Sequence, residues 1–232
     1  GGTLYDATRK YHQAARSLDE GVGRLIETLK ASKQLENTLI VYTADQGYAW
    51  GQHGFRHKLA PYASNTKVPF IVSMPGTIPS KKVCNSPITS IDLVSTFFKF
   101  ADMDLPWKMD GRDMSALLKN PDRTWNRPAF LTYTNRSYRP ETNKIAEPPA
   151  YTGNNVPWYA WVIKDRYKFI QTLVENEIPE LYHIDNDPDE LNNLALLPQY
   201  RNTVKKHHKL LVSELKRTNA RFVNSLPAMK GF

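Results

Sequence analysis

Asp45, Gln46 and Lys58 are the residues of this 232-residue chain whose types and spacing could do chemistry. Asp45 and Gln46 end the apolar run Leu39-Ile40-Val41-Tyr42-Thr43-Ala44, and Lys58 follows on a stretch that holds Gly47, Gly51 and Gly54. A carboxylate and an amide carbonyl are hard oxygen donors, which suit Ca²⁺ or Mg²⁺ better than a soft metal. Two donors are too few for Ca²⁺, which takes about six to eight oxygens. A lysine on a loop returning to the same strand end is a point charge. It could stabilise a sulfuryl or phosphoryl oxygen, or a departing oxygen. His53, Arg56 and His57 crowd the same loop and could contact an anionic substrate or move protons. Each residue also has a plain reading. Asp45-Gln46-Gly47 suits a turn after a strand, Lys58 suits a solvated surface, and either histidine could be structural.

The elements that would position these residues follow from the pattern of apolar positions. Tyr11, Ala14, Ala15, Leu18, Val22, Leu25, Ile26 and Leu29 recur at helical spacing, predicting an amphipathic helix over about residues 5–32. Residues 38–44 read as a buried strand, and 68–73 as a second one stopped by Pro75-Gly76. Between them, residues 46–67 form a long loop, a length that in a compact domain usually serves function. Ser90 is placed to cap a helix through Ala101, with Leu93, Val94, Phe97 and Phe98 facing inward. This order argues for a mostly parallel sheet flanked by helices. Beyond it come a short helix near 114–119, a strand at 129–134, an irregular polar loop at 135–157, a hairpin around Lys164-Asp165-Arg166, a strand at 180–184 and a closing helix at 199–217. The expectation is therefore an α/β core over 1–127 and a small antiparallel subdomain with its helix over 128–232.

Bulk properties narrow the classes. The hydrophobic fraction of 41% can build a core, and no apolar run is long enough to cross a membrane. The first residues show neither a basic nor an apolar leader segment. The lone Cys84 has no His or acid cluster around it and reads as a small buried residue. Much of the net charge of +8 is local, with seven Lys or Arg and one acid, Glu214, between Arg201 and Arg221. That run could attract polyanions, or simply be the solvated face of a terminal helix, the reading preferred here. No nucleic-acid motif accompanies it.

The stretch from Asn37 to Gly47 resembles the sulfatase pattern, within the alkaline phosphatase superfamily, of an N-T-apolar strand ending in Asp, then Asn, His or Gln, then Gly. Gly51-Gln52-His53-Gly54 is similar to the G-E-H-G-type segment that follows. Lys58, Val68-Pro69-Phe70-Ile71-Val72 and Pro75-Gly76 match the family's lysine, strand and turn. Ser90 to Phe98 resembles its D-L-x-x-T-x-apolar helix. Glu180 to Leu194 resembles its E-L-Y-D-L-x-x-D-P-x-E-x-x-N-L box. The resemblance implies that Asp45 and Gln46 are metal ligands, for Ca²⁺ with Mg²⁺ possible, and that Lys58 contacts the sulfate or leaving oxygen. It implies a structural role for the terminal box.

The departures are informative. Gln46 stands where Asn or His is commoner, and His183 where Asp is usual. No C-x-P-x-R or S-x-P-x-R segment is present, so the formylglycine nucleophile of the family is expected on an upstream segment, with further acidic ligands. The chain by itself is expected to lack turnover, and a truncated sheet should expose apolar surface where that half docks. Expected partners are a sulfated small molecule or glycan and the missing N-terminal half or another chain, with no nucleic acid and no membrane span. By resemblance the setting is periplasmic, extracellular or lysosomal. Two other readings stay open: a phosphatase or phosphodiesterase of the same superfamily, and a non-catalytic module that binds an anionic glycan or partner chain.

Overall fold

The apolar periodicity of the first thirty residues does form a helix, α1 (Leu4–Ala31), opened by a reciprocal cap between Thr3 and Asp6. The computed structural model describes residues 3–145 and 156–232. Part of the expected 135–157 loop therefore lies outside the described residues. Much of the apolar stripe of α1 is open: Tyr5, Tyr11, Leu18 and Leu25 are exposed, although Tyr11 meets the Trp50 ring edge-on at 6.1 Å and Val22, Ile26 and Leu29 are half-buried. An amphipathic face left in water is unfavourable, so it marks a surface meant to meet another element.

Strand β1 (Ile40–Thr43) pairs with β4 (Phe70–Ser73), Ile40 opposite Ser73 and Thr43 opposite Phe70. The pairing is antiparallel. The parallel neighbours expected for these strands are not among the described residues. The intervening chain holds a two-stranded ribbon, β2 (Ala49–Trp50) with β3 (Arg56–His57), a 3-10 turn at Gln52–Gly54 and a four-residue helix α2 (Ala63–Thr66). It lacks the crossover helix that a parallel connection requires. Ile71 on β4 is also exposed.

Helix α3 (Asp92–Phe100) begins where expected, but Ser90 does not cap it. Asp92 closes the turn instead, its carboxylate accepting from the Thr89 and Arg112 backbone amides at 3.0 and 2.7 Å. The expected inward face is overturned in part: Asp92 and Thr96 are buried, whereas Phe97 is exposed. The polar side is the one packed, because Thr96 accepts from the Met114 amide just before α4 (Ser115–Lys119). Cys84 is exposed, not buried, on the irregular segment after β4. Its thiol is expected to react with one equivalent of an aromatic disulfide reagent in the native protein at the rate of a free thiol. A signal appearing only in denaturant would contradict this.

The second half is an antiparallel meander in the order β5 (Ala129–Tyr133), β6 (Tyr159–Lys164), β7 (Tyr167–Thr172), β8 (Glu180–His183). Helix α5 (Arg201–Arg217) lies across it. Side chains alternate between two covered faces. Trp158, Ala160, Val162, Phe169 and Leu181 meet Val204, Leu211 and Leu215 of the helix. Tyr159, Trp161, Ile170 and Tyr182 face the other way and pack against Phe55, Leu59, Ala60 and Tyr62. The loop that carries Lys58 is therefore one layer of this core. The mixed α/β class, with an antiparallel sheet and a closing helix, is as the sequence implied.

Candidate functional site

Lys58 reaches back across the ribbon to Asp45, Nζ to Oδ2 at 2.8 Å. The second carboxylate oxygen accepts from the Gln46 backbone amide at 2.8 Å. The Lys58 hydrogen bond first, then that of Gln46, hold the Asp45 carboxyl below the usual carboxylate range. Asp45 is thus an ionised oxygen donor at the end of β1 and is largely open to solvent. Its donor chemistry and that of the Gln46 amide fit part of the shell of a hard cation. Among the described residues no cluster of three or more His, Cys, Asp or Glu completes such a shell.

Gly47 makes the geometry possible. Its amide donates to the Asn65 carbonyl at 2.8 Å. A Cβ at this position would lie 2.2 Å from the Ser64 carbonyl oxygen. The two ends of the site loop approach closely there, and only glycine fits.

The other loop residues are distributed differently. The His57 ring Nδ1 lies 2.5 Å from the Tyr48 hydroxyl, and His57 takes a left-handed backbone with φ 70°. The ring of His53 stacks on Tyr62 at 3.7 Å, and its Nε2 lies 2.8 Å from the Asp189 carbonyl. His53 is thereby occupied in tying the loop to the terminal box. Arg56 sits opposite Trp50 in the ribbon.

What braces the loop is Lys168, which sequence reasoning did not single out, together with residues of the terminal box. Lys168, on the loop-facing side of β7, is 1% exposed. Its ammonium donates to both carboxylate oxygens of Glu190, at 2.9 and 3.1 Å, and to the Pro61 carbonyl at 2.5 Å. It also lies 5.5 Å from the Trp161 ring centroid. Glu190, equally buried, accepts from the Ala63 amide at 2.9 Å and so caps α2. Burial pulls the Lys168 ammonium pKa downward against the pull of Glu190. Beside it, the Glu180 carboxylate accepts from the hydroxyls of Tyr62 and Tyr182 at 3.3 and 2.5 Å. Burial pushes the Glu180 carboxyl upward. Asn193 Oδ1 accepts from the amides of Leu181 and Ala195. The E-L-Y box thus does more than form turns: its glutamates hold the loop bearing Lys58. The signal available in the sequence was Lys168 itself, a charge set inside the apolar run Tyr167-Lys168-Phe169-Ile170.

Fold and site together define the C-terminal portion of a sulfatase-type α/β protein. The sequence profile described as N-sulphoglucosamine sulphohydrolase, C-terminal, matches residues 51–217, and the chain belongs to that family. It is 27% identical over 225 residues to an N-acetylglucosamine-6-O-sulfatase of Bacteroides thetaiotaomicron, covering 96% of this chain and 37% of that protein. It is 23% identical over 232 residues to an arylsulfatase of Clostridium perfringens, covering 99% of this chain and 44% of that protein. A solved structure in complex with its substrate D-glucosamine-2-N,6-O-disulfate superposes with a TM-score of 0.74 at 27% identity, covering 88% of this chain and 39% of that one. The chain therefore spans less than half the length of the curated relatives it matches.

Proposed function

We propose that this chain is the C-terminal wall of the active site of an enzyme that hydrolyses a sulfate ester on a carbohydrate. The observation that carries the reading is the contact between Lys58 and Asp45 at 2.8 Å, made by two residues thirteen positions apart in a member of a sulfatase family. In this reading Asp45 and Gln46 hold a divalent cation, Ca²⁺ before Mg²⁺. When bound, the cation supplies positive charge to sulfate oxygens. The Lys58 ammonium adds a second positive charge where the leaving oxygen develops negative charge. Arg56 and His57 lie on the same ribbon and offer further donors to an anionic substrate. The formylglycine nucleophile belongs to sequence outside this chain. The relatives' named substrates, 6-sulfated glucosamines, set the class of ester to try first.

The test uses the full-length protein, a 6-sulfated N-acetylglucosamine and a phosphate monoester side by side. Lys58→Ala is expected to lower kcat/KM for the sulfate ester by about 100-fold or more, while Lys67→Ala, an exposed lysine nearby, leaves it unchanged. Equal turnover in the two variants would remove Lys58 from the chemistry. Faster turnover of the phosphate ester would move the assignment to the phosphatases of the superfamily.

A further inference from the structure

We infer that the C-terminal strap and helix α5 form a second binding groove, separate from the Asp45–Lys58 site, that takes a sulfated or carboxylated oligosaccharide. The strap is built, not draped. The Pro227 carbonyl accepts from Gln171 Nε2 at 3.1 Å, the Ala228 carbonyl from the Asn176 amide at 3.1 Å, and the Lys230 amide donates to the Glu177 carbonyl at 3.0 Å. Arg201 closes one end, its guanidinium 5.7 Å from the Phe232 ring centroid and donating to the Gly231 carbonyl at 3.4 Å. Between strap and helix lies an open groove of about 310 Å³ lined by Lys205, His208, Lys209, Pro227, Met229 and Phe232. That volume is at the small end of ligand sites.

The charges of the groove are uncommitted. Among the described residues Lys205 and Lys209 make no ion pair, whereas Lys206, the residue after Lys205 along the helix, is held by Asp165 at 2.7 Å. Lys205 and Lys209 are one helical turn apart, so both ammonium groups project along the same face. Glu175 and Glu177, on the loop the strap pairs with, do not line the groove. His208 is half-buried, and desolvation pulls its imidazole pKa down, so at neutral pH it offers a neutral hydrogen-bonding ring. Two exposed cations over a floor of proline, methionine and phenylalanine match a pyranose with anionic substituents: apolar ring face below, sulfate or carboxylate at the rim. A bare anion would not use the floor. A DNA duplex needs a longer basic track than one helical turn.

The experiment is calorimetric titration of the full-length protein with a heparin-derived tetrasaccharide at two salt concentrations. Both lysines are solvent-exposed, so Lys205→Ala/Lys209→Ala should fold normally. The double variant is expected to weaken binding about tenfold, while Lys58→Ala leaves a binding event of unchanged affinity. His208 ring resonances should shift on titration of the parent protein, and in the double variant the same shift should need about tenfold more ligand. Unchanged affinity in the double variant overturns the proposal. So does loss of all binding in Lys58→Ala, which would place the probe in the candidate catalytic site. Inorganic sulfate or a short DNA duplex binding as tightly as the tetrasaccharide, with the same dependence on the two lysines, also overturns it, since the site would then be reading charge alone.

Discussion

Lys168→Met is expected to lower the unfolding free energy by about 3–5 kcal/mol, the usual consequence of stranding one member of a buried ion pair. The substitution leaves the Glu190 carboxylate, 2% exposed, with the Ala63 amide as its remaining hydrogen-bond donor among those described. It also removes the donor to the Pro61 carbonyl. The residual charge is buried beneath the loop, so solvent cannot screen it. Lys206→Ala breaks an ion pair of similar length, Lys206 to Asp165 at 2.7 Å, whose partners are 66% and 50% exposed. That change should cost about 0–1 kcal/mol. The comparison holds ion-pair geometry roughly constant and varies burial. A further variant separates charge from volume: Lys168→Met/Glu190→Gln removes both charges and is expected to recover part of the loss. Urea denaturation of the four proteins, with equal m-values, reads all three effects. A Lys168→Met midpoint matching that of Lys206→Ala would show that the pair does not brace the fold.

Gly47→Ala is expected to damage the site more than the fold. The added Cβ would stand 2.2 Å from the Ser64 carbonyl oxygen and 3.2 Å from the Asn65 Cα, both backbone atoms that cannot rotate away. Relief requires the strand end and α2 to separate. Overpacking of this kind costs about 1–3 kcal/mol. The same separation moves Asp45 and Gln46 relative to Lys58. Displacement of about 1 Å between reacting groups can cost on the order of 100-fold in rate. On the function proposed above, sulfate-ester turnover of the full-length protein should therefore fall by roughly that factor while the chain remains folded at assay temperature. Gly21→Ala is the matched control. Apart from its chain neighbours and its own helix backbone, no atom lies within 4 Å of a Cβ there, and the residue sits inside α1. Alanine in a helix interior should stabilise by about 0.5–1 kcal/mol and leave turnover unchanged. Wild-type turnover in Gly47→Ala would mean that the loop closure at Asn65 does not set the relation of Asp45 to Lys58.

Both predictions concern the same physical arrangement. A loop of mixed glycine and polar residues has little reason to hold one conformation by itself. Here it is fixed from two sides. Gly47 joins it to α2 through one short backbone hydrogen bond, and the antiparallel sheet grips it through Lys168, Glu180, Glu190 and stacked Tyr62. The sheet and its helix thereby become part of the site without contributing a residue to Asp45 or Lys58 directly.

Sequence alone determined the local order: the helix of residues 4–31, the strands at 40–43 and 70–73, the meander and the closing helix. Apolar periodicity and turn residues act over a few positions, so they are legible in one chain. The placing of Asp45, Gln46 and Gly47 together at the strand end was legible for the same reason, since they are consecutive. The packed face of α3, the antiparallel partner of β1 and the exposure of Cys84 were decided only by the tertiary structure, because each depends on which surface a neighbour covers. The exposed part of the α1 stripe belongs to the same group: periodicity shows that it wants a partner, and only the structure shows that Tyr5, Leu18 and Leu25 remain exposed among the described residues. The brace around the loop was the feature most fully hidden from the sequence. Lys168 meets Pro61 across 107 positions, and Glu190 meets Ala63 across 127. No local rule pairs residues so far apart. Folding brings them together because the two apolar faces of one sheet must both be covered, and the loop bearing Lys58 is what covers the second.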